Sequence, residues 1–408
     1  MPQRHATCSA SVNRAPGFFA AVMAVFLLLA SLSQLAESQT YKVIYNFTNI
    51  GTDGATPYAG PTLDRAGNLF GTTNTGGRFG SGSVYELSPS GDSWTYRSMH
   101  SFFGQADGAG PAFGSLAIWN GELFGTTEGG AFFGTAFKVG PCKNNNVCPE
   151  SVVHGFGLKT DGQEPIGGVV FDKAGNFYGT TLLGGTSGNG TVFQIKPSGI
   201  EHVLYSFTVG IDAVNPAAAV TVDDHGNLYG TTSFGGVNGV GAVYKLTHTR
   251  SGWTESVLYS FQGLNDGQNP VGGLILDKAG NLYGGTFDGG ANGGGTVYEL
   301  SPSAGGWNLT VLYSFTGGYG GLYNKLTFDT KGNLYGILNG ESANGLGSVF
   351  KLTRHDGGWT YTDLHDFAGG SDGGLPYCQL AVDAQGNIFG TAFVGGSNNQ
   401  GIVFEITP

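Results

Sequence analysis

The chain has 408 residues, 75 of them glycine, with 12% aromatic and only 12% charged side chains. A hydrophobic content of 40% is too high for a disordered chain, and the glycines follow no three-residue period, so neither disorder nor a collagen-like helix fits. A formal charge of -11 with no basic cluster repels phosphate backbones, which makes nucleic acid and anionic membrane surfaces poor partners.

At the N-terminus, Arg4 and Arg14 precede an uncharged run of 15 residues, Phe18 to Leu32, and small residues follow around Ala36 and Ser38. This pattern predicts a secretory signal over residues 1–38, cleaved before Gln39, because the run is shorter than the roughly 18 to 20 apolar residues that span a bilayer. The mature chain, 39–408, then carries 16 basic against 28 acidic residues and no membrane span. It is expected outside the cytoplasm, either secreted, periplasmic or on the cell surface, and as a monomer.

From Gly67 onward a short signature returns seven times. Its variants are "AGNLFGTT" at Gly67, "NGELFGTT" at Gly121, "AGNFYGTT" at Gly175, "HGNLYGTT" at Gly226, "AGNLYGGT" at Gly280, "KGNLYGIL" at Gly332 and "QGNIFGTA" at Gly386. Successive copies are 54, 54, 51, 54, 52 and 54 residues apart, the regularity of a repeat architecture. Each repeat holds four strand-like runs, in the fifth Gly272 to Asp277, Asn281 to Thr286, Gly295 to Leu300 and Thr310 to Phe315, all bounded by turn residues. The period is too long for leucine-rich or ankyrin repeats, and no 3.6-residue periodicity supports helices. The expected fold is therefore all-β, a seven-bladed β-propeller of four-stranded antiparallel blades.

Closure is legible too. Outer-strand runs like "VLYSF" occur at Val43–Phe47, Ser98–Phe102, Val152–Phe156, Val203–Phe207, Val257–Phe261, Val311–Phe315 and Asp363–Phe367. The first precedes repeat one, and repeat seven has only three strands, so the N-terminal strand is expected to complete the last blade and hide two edges. The "DKAGN" element between the first and second strands reads as a hairpin turn in which Asp accepts backbone hydrogen bonds and Gly takes positive φ. Repeat two places Asn120-Gly121 there, itself a favoured hairpin turn.

Cys142 and Cys148 flank "KNNNV", and in an exported chain they are expected to form a local disulfide, leaving Cys378 as a buried apolar residue or free thiol.

The extended pattern "DGxxPxGGLxxDxxGNLYGTTxxGGxxxxGTVFxLxPxxxWTxxVLYSF", nearly complete at Asp161–Phe207 and Asp266–Phe315, resembles the Gloeo_Verruco (GloVer) tandem-repeat family of exported bacterial proteins over residues 41–408. The resemblance implies a secreted or surface-anchored propeller and brings no established activity or catalytic residues. Kelch and WD40 repeats fit less well, because the spaced Tyr and Trp of the first and the paired GH and WD of the second are missing.

HExxH, GxSxG, P-loop and EF-hand motifs are absent, and glycine strings such as "GVNGVG" lack the strand-to-helix setting of a nucleotide loop. His100, His154 and His365 occupy the outer-strand slot held elsewhere by Tyr45, Tyr205, Tyr259 and Tyr313. Packing of an amphipathic ring explains them without a metal, whose ligands converge from different elements. Asp53, Asp107, Asp161, Asp266 and Asp372 open "DGxxP" turns, with Asp212 in the equivalent place. Calcium at these turns is the one cofactor alternative, but one carboxylate per blade falls short of six to eight oxygens, so no cofactor is assigned.

Where the repeats disagree, a site is expected. Inner strands begin where blades crowd the axis, with small residues at Gly167-Gly168, Ala218-Ala219 and Gly272-Gly273. Repeats six and seven instead place Tyr323, Asn324, Lys325, Tyr377 and Gln379 there, and Tyr58 and Phe113 stand at similar positions in repeats one and two. Aromatic rings beside amide and ammonium groups can stack on a sugar or grip a peptide. The sequence thus favours an extracellular binding module for a polysaccharide or protein; the alternative is a secreted hydrolase or lyase with its site at the channel mouth.

Overall fold

In a computed structural model of the chain, residues 39–408 are described, except 112, 144–147, 158–159, 210–212, 318–319 and 341. The signal segment expected over residues 1–38 and the turn aspartate at position 212 lie outside the described residues. Seven four-stranded antiparallel sheets form the blades of a propeller within the unit Tyr41–Thr407. Blade 1 is built from Thr62–Leu63, Leu69–Thr73, Ser83–Ser90 and Ser93–Ser101, in that order from inner to outer strand. In blade 7, Thr40–Asn46 lies outside Ile402–Thr407, Ile388–Ala392 and Ala381–Val382. The chain's first strand therefore closes the ring against its last, as the strand count requires, and Phe47 N–H donates to Gly401 O at 3.1 Å across that join. Among the described residues no helix is long and apolar enough to cross a membrane.

Strand lengths depart from the sequence reading in a consistent way. In blade 5 the inner run Gly272–Asp277 is laddered only at Ile275–Leu276, whereas the outer hairpin lengthens to Gly293–Ser303 and Gly306–Thr316. The inner strand has a ladder partner on one side alone, and its first residues turn toward the neighbouring blade. A Cβ on Gly272 would stand 2.6 Å from Asn324 O, so this stretch packs backbone to backbone instead of pairing. A bulge recurs in the outer hairpins of blades 1 to 6, between Val84 and Tyr85 in blade 1 and between Val297 and Tyr298 in blade 5. Each inserts an extra outer-strand residue and increases the twist that lets blades fan around an axis.

The hydrophobic core is divided among the seams. Seven clusters of buried side chains each combine residues of two adjacent blades, for example Val192 and Phe207 with Leu228 and Tyr244 between blades 3 and 4. The Phe that ends each outer strand is fully buried at Phe47, Phe102, Phe156, Phe207, Phe261 and Phe367. The glycine of the "LYGT" strand has an equally direct cause. A Cβ on Gly71 would lie 2.3 Å from the Tyr85 hydroxyl, and one on Gly390 2.3 Å from Phe404 Cζ, because a third-strand ring lies flat across it.

The repeated "DKAGN" is a turn held by its aspartate. Asp277 Oδ1 accepts from Ala279 and Asn281 N–H at 2.8 and 2.9 Å, and Oδ2 accepts from Asn281 Nδ2 and the Tyr283 hydroxyl at 2.9 and 3.2 Å. Asp172, Asp223 and Asp329 repeat the arrangement. In blade 2, Asn120 and Gly121 supply the reversal with two positive φ angles, 50° and 80°.

Candidate functional site

The "DGxxP" segments and the loops after the second strands meet on one face. Gly54–Ala55 pairs with Thr75–Gly76, Gly162–Gln163 with Leu183–Gly184, and Ala213–Val214 with Phe234–Gly235. Single bridges join Ala109 to Gly129, Gln268 to Asp288 and Gly374 to Val394 in the same manner. These small ladders, which the sequence reading did not include, brace the loops that surround the channel mouth.

Within that frame the expected aromatic residues come together. Tyr58 packs on Phe113 at 5.0 Å and on Tyr377 at 5.2 Å, and Tyr377 lies 5.7 Å from Tyr323. Two further rings complete a collar: Phe393 stacks on Tyr58 at 4.4 Å, and Phe287 packs on Tyr323 at 4.5 Å. Tyr323 is 36% exposed, enough to offer a ring face to solvent. Phe287 and Phe393 were not singled out by sequence, yet a signal existed. They follow the "GT" of the second strand, where the seven repeats carry Asn74, Glu128, Leu182, Ser233, Phe287, Asn339 and Phe393, the most varied position beside the least varied stretch.

Acidic groups flank the collar. Glu128 accepts from Asn74 Nδ2 at 3.3 Å, and its carboxyl is pushed above the ordinary range, chiefly by burial and further by Glu164, with the Asn74 bond opposing. Burial, with Tyr377 and Glu128 nearby, likewise raises the Tyr58 phenol. Burial raises the Tyr323 phenol as well, so near neutral pH Tyr58 and Tyr323 present neutral phenols.

Beneath the collar the channel narrows to a cavity of about 60 Å³, lined among others by Phe113, Tyr323, Asn324, Lys325 and Gln379. Five of the seven residues expected at the mouth therefore share one wall, and Tyr58 and Tyr377 join them through ring contacts. The narrowing is a backbone effect. A Cβ on Gly114 would meet Gly168 N at 2.1 Å, and one on Gly60 would meet Gln379 O at 1.7 Å. Threonines tie the blades here: Thr180 donates to Ala218 O at 2.9 Å, Thr231 to Gly272 O at 2.8 Å and Thr391 to Ala59 O at 3.1 Å. Lys325 reaches across to donate to Thr221 Oγ1 at 3.2 Å, and burial pushes its ammonium down to about 8.

The histidine slot also gains a cause. His100, His154 and His365 Nε2 hydrogen-bond the turn aspartates Asp107, Asp161 and Asp372 at 3.3, 3.0 and 3.1 Å, and the Tyr259 hydroxyl donates to Asp266 at 2.9 Å in the same way. The slot thus takes a ring whose tip reaches the next turn. On the adjoining blade a second ring commonly covers it, as in Tyr45–Tyr96 at 4.5 Å, Tyr313–Tyr361 at 4.5 Å and His365–Tyr41 at 3.7 Å. Between blades 2 and 3 the covering residue is Glu201, so single ligand atoms of His154, Asp161 and Glu201 fall within 4.8 Å of one another. Partners from different elements do therefore surround His154, which residue spacing along the chain did not reveal. The Asp53 carboxylate uses its oxygens locally: Oδ2 accepts from Thr48 N and Oγ1 at 2.7 and 2.6 Å, and Oδ1 from Gly54 N at 2.8 Å.

Cys142 and Cys148 are joined by a disulfide beside the blade 2 outer hairpin, and Cys378 is a buried thiol held up at about 11 by burial. A larger cleft, about 850 Å³, opens between blades 1 and 2 among the "DxxGN" hairpins, where Glu86 pairs with Arg97 near Cys142. It brings none of the expected site residues together except Cys142.

The model of the Gloeobacter/Verrucomicrobia repeat family matches residues 30–224 and again 215–408. No curated protein matches the chain in sequence. Among solved structures, the extracellular domain of a protein described as a one-component system from B. thetaiotaomicron is 11% identical with a TM-score of 0.50, over 89% of this chain and 39% of that one. The chain thus spans well under half the length of that protein. A Thermus thermophilus protein described as an oxidoreductase (glucose dehydrogenase) is 14% identical with a TM-score of 0.45, over 90% of this chain and 100% of that one. A Bacteroides uniformis protein described as a 6-phosphogluconolactonase is also 14% identical, with a TM-score of 0.48, over 75% of this chain and 83% of that one. The first of these likenesses, at 11% identity, bears on fold and not on chemistry. Seven copies of one signature, each folded as one blade and matched by the repeat model from residue 30 to residue 408, make the chain a member of the Gloeobacter/Verrucomicrobia repeat family.

Proposed function

We propose that this propeller is an exported binding module whose aromatic collar, Tyr58, Phe113, Tyr323 and Tyr377 with Phe287 and Phe393, takes up an extracellular polysaccharide. The observation that carries this reading is the collar itself, six rings in continuous contact, four of them where the inner-strand entries abandon small residues. Ring faces stack on the apolar faces of sugars, and neighbouring amides and phenols satisfy hydroxyls. The cavity below holds about 60 Å³, against roughly 300 Å³ or more for a pocket that encloses a small-molecule substrate. That contrast favours docking over a hydrolase or lyase site that encloses its substrate at the channel mouth. Export rests on the leader read at residues 1–38.

The test is a panel of soluble neutral and acidic polysaccharides titrated against the mature chain. Replacing Tyr323, Lys325, Tyr377 and Gln379 together is expected to abolish binding while leaving the melting transition cooperative. Unchanged binding by that variant would overturn the proposal, and capture of a protein in place of every polysaccharide would overturn the ligand class.

A further inference from the structure

The channel cavity has a chemical bias that the collar does not explain. An ammonium group offers three donors, and Lys325 Nζ donates to Thr221 Oγ1 at 3.2 Å. Among the described residues it forms no salt bridge, and no carboxylate contributes to its lowered pKa. Two residues that line the same cavity carry enclosed donors with no hydrogen-bond partner among the described residues, Ser115 Oγ and Asn324 Nδ2. The carbonyls that face the seams already accept one bond each, Ala218 O from Thr180, Gly272 O from Thr231 and Leu274 O from Thr221. A half-buried positive charge and orphaned donors around one small cavity are each costly when left unmet.

We infer that the channel binds a small monovalent anion against Lys325 Nζ, with Ser115 Oγ and Asn324 Nδ2 completing its hydrogen bonds. Water satisfies donors but leaves the charge uncompensated; an anion satisfies both. The volume of about 60 Å³ admits a halide or a single carboxylate and excludes a phosphorylated metabolite or a sugar ring. The same chemistry has two sources, a free ion such as chloride or a carboxylate carried by a ligand seated on the collar. The anion site stands without the collar proposal, because it rests on the channel wall alone.

Thermal unfolding at neutral pH and constant ionic strength, exchanging bulky gluconate for chloride, reads the site directly. The wild-type melting temperature is expected to rise saturably with chloride, Lys325→Met to lose that response, and Ser115→Ala to weaken it about fivefold, the worth of one hydrogen bond. Crystals grown in bromide should show an anomalous scatterer within hydrogen-bond reach of Lys325 Nζ. Tyr58→Ala with Tyr377→Ala, two collar rings outside the cavity lining, should keep the chloride response, which separates this site from the collar. Competition of chloride by an acidic oligosaccharide identifies a ligand carboxylate as the source, and chloride binding without such competition identifies the free ion. Equal melting in chloride and gluconate, or an undiminished response in Lys325→Met, would overturn the inference.

Discussion

At the scale of single residues, the outer-strand position facing the histidine slot decides how each seam responds to pH. Tyr96, Glu150, Glu201, Glu255, Leu309, Tyr361 and Tyr41 occupy that position in blades 1 to 7. Glu150 has an enclosed Oε1 with no hydrogen-bond partner among the described residues, and burial, with the Asp107 carboxylate beside it, pushes it up to about 7. An unfolded glutamate titrates near 4.3, so the folded chain holds an extra proton between about pH 4.3 and 7. Stability from this group is complete below that window and is lost as pH rises through it. Glu150→Gln removes the titration, and the variant is expected to gain in melting temperature relative to wild type at pH 8 and to show little gain at pH 4.5. An equal difference at both pH values would contradict the assignment. Asp172, Asp223 and Asp329 behave oppositely. Burial alone would raise them, but Asn, Tyr and backbone donors outweigh it and hold each below its ordinary value, so their contribution is present at neutral pH and lost only in acid.

At the scale of elements, the closing strand bears the greatest demand. Thr40–Asn46 supplies the fourth strand of blade 7, and Phe47, fully buried just beyond it, packs on Tyr85 of blade 1 at 5.3 Å. One segment thereby joins the last blade to the first. Deleting residues 39–48 removes this join and exposes the Ile402–Thr407 edge to pairing with other chains. The expected result is aggregation or loss of the cooperative transition, followed by light scattering and circular dichroism during heating. A truncated chain that stays monomeric with an unchanged melting temperature would show that the ring closes by other means.

At the scale of the whole molecule, a closed ring cannot relax at one seam without moving the others. Gly60 sits where blade 1 meets blade 7, with no room for a Cβ beside Gln379 O, whereas a Cβ on Gly305, in an outer hairpin turn, meets nothing within 4 Å. Gly60→Ala is expected to destabilise by about 2–4 kcal/mol, in the upper range of overpacking costs, because the obstacle is backbone. Gly305→Ala should fall within about 0.5 kcal/mol of wild type, as surface changes do. Denaturant titration of the two variants decides the matter; similar midpoints would mean that the blades can spread at the axis.

The repeat period, blade number, strand order and closure were all legible in the sequence, because turn residues and alternating strands recur at fixed offsets and each repeat obeys the same local rules. The regions where aromatic rings replace small residues, at Tyr58, Phe113, Tyr323 and Tyr377, were legible for the same reason. Other features depended on contacts between distant repeats. Phe287 and Phe393 join the collar only because the inner strands converge at the axis, Glu201 meets His154 only across a seam, and Lys325 is half-buried against Thr221 only because neighbouring backbones pinch the channel. A repeating sequence determines its blade through local turn and strand geometry, but the collar, the seam nodes and the donor-lined cavity arise from ring closure, which sets side chains from separate blades against one another.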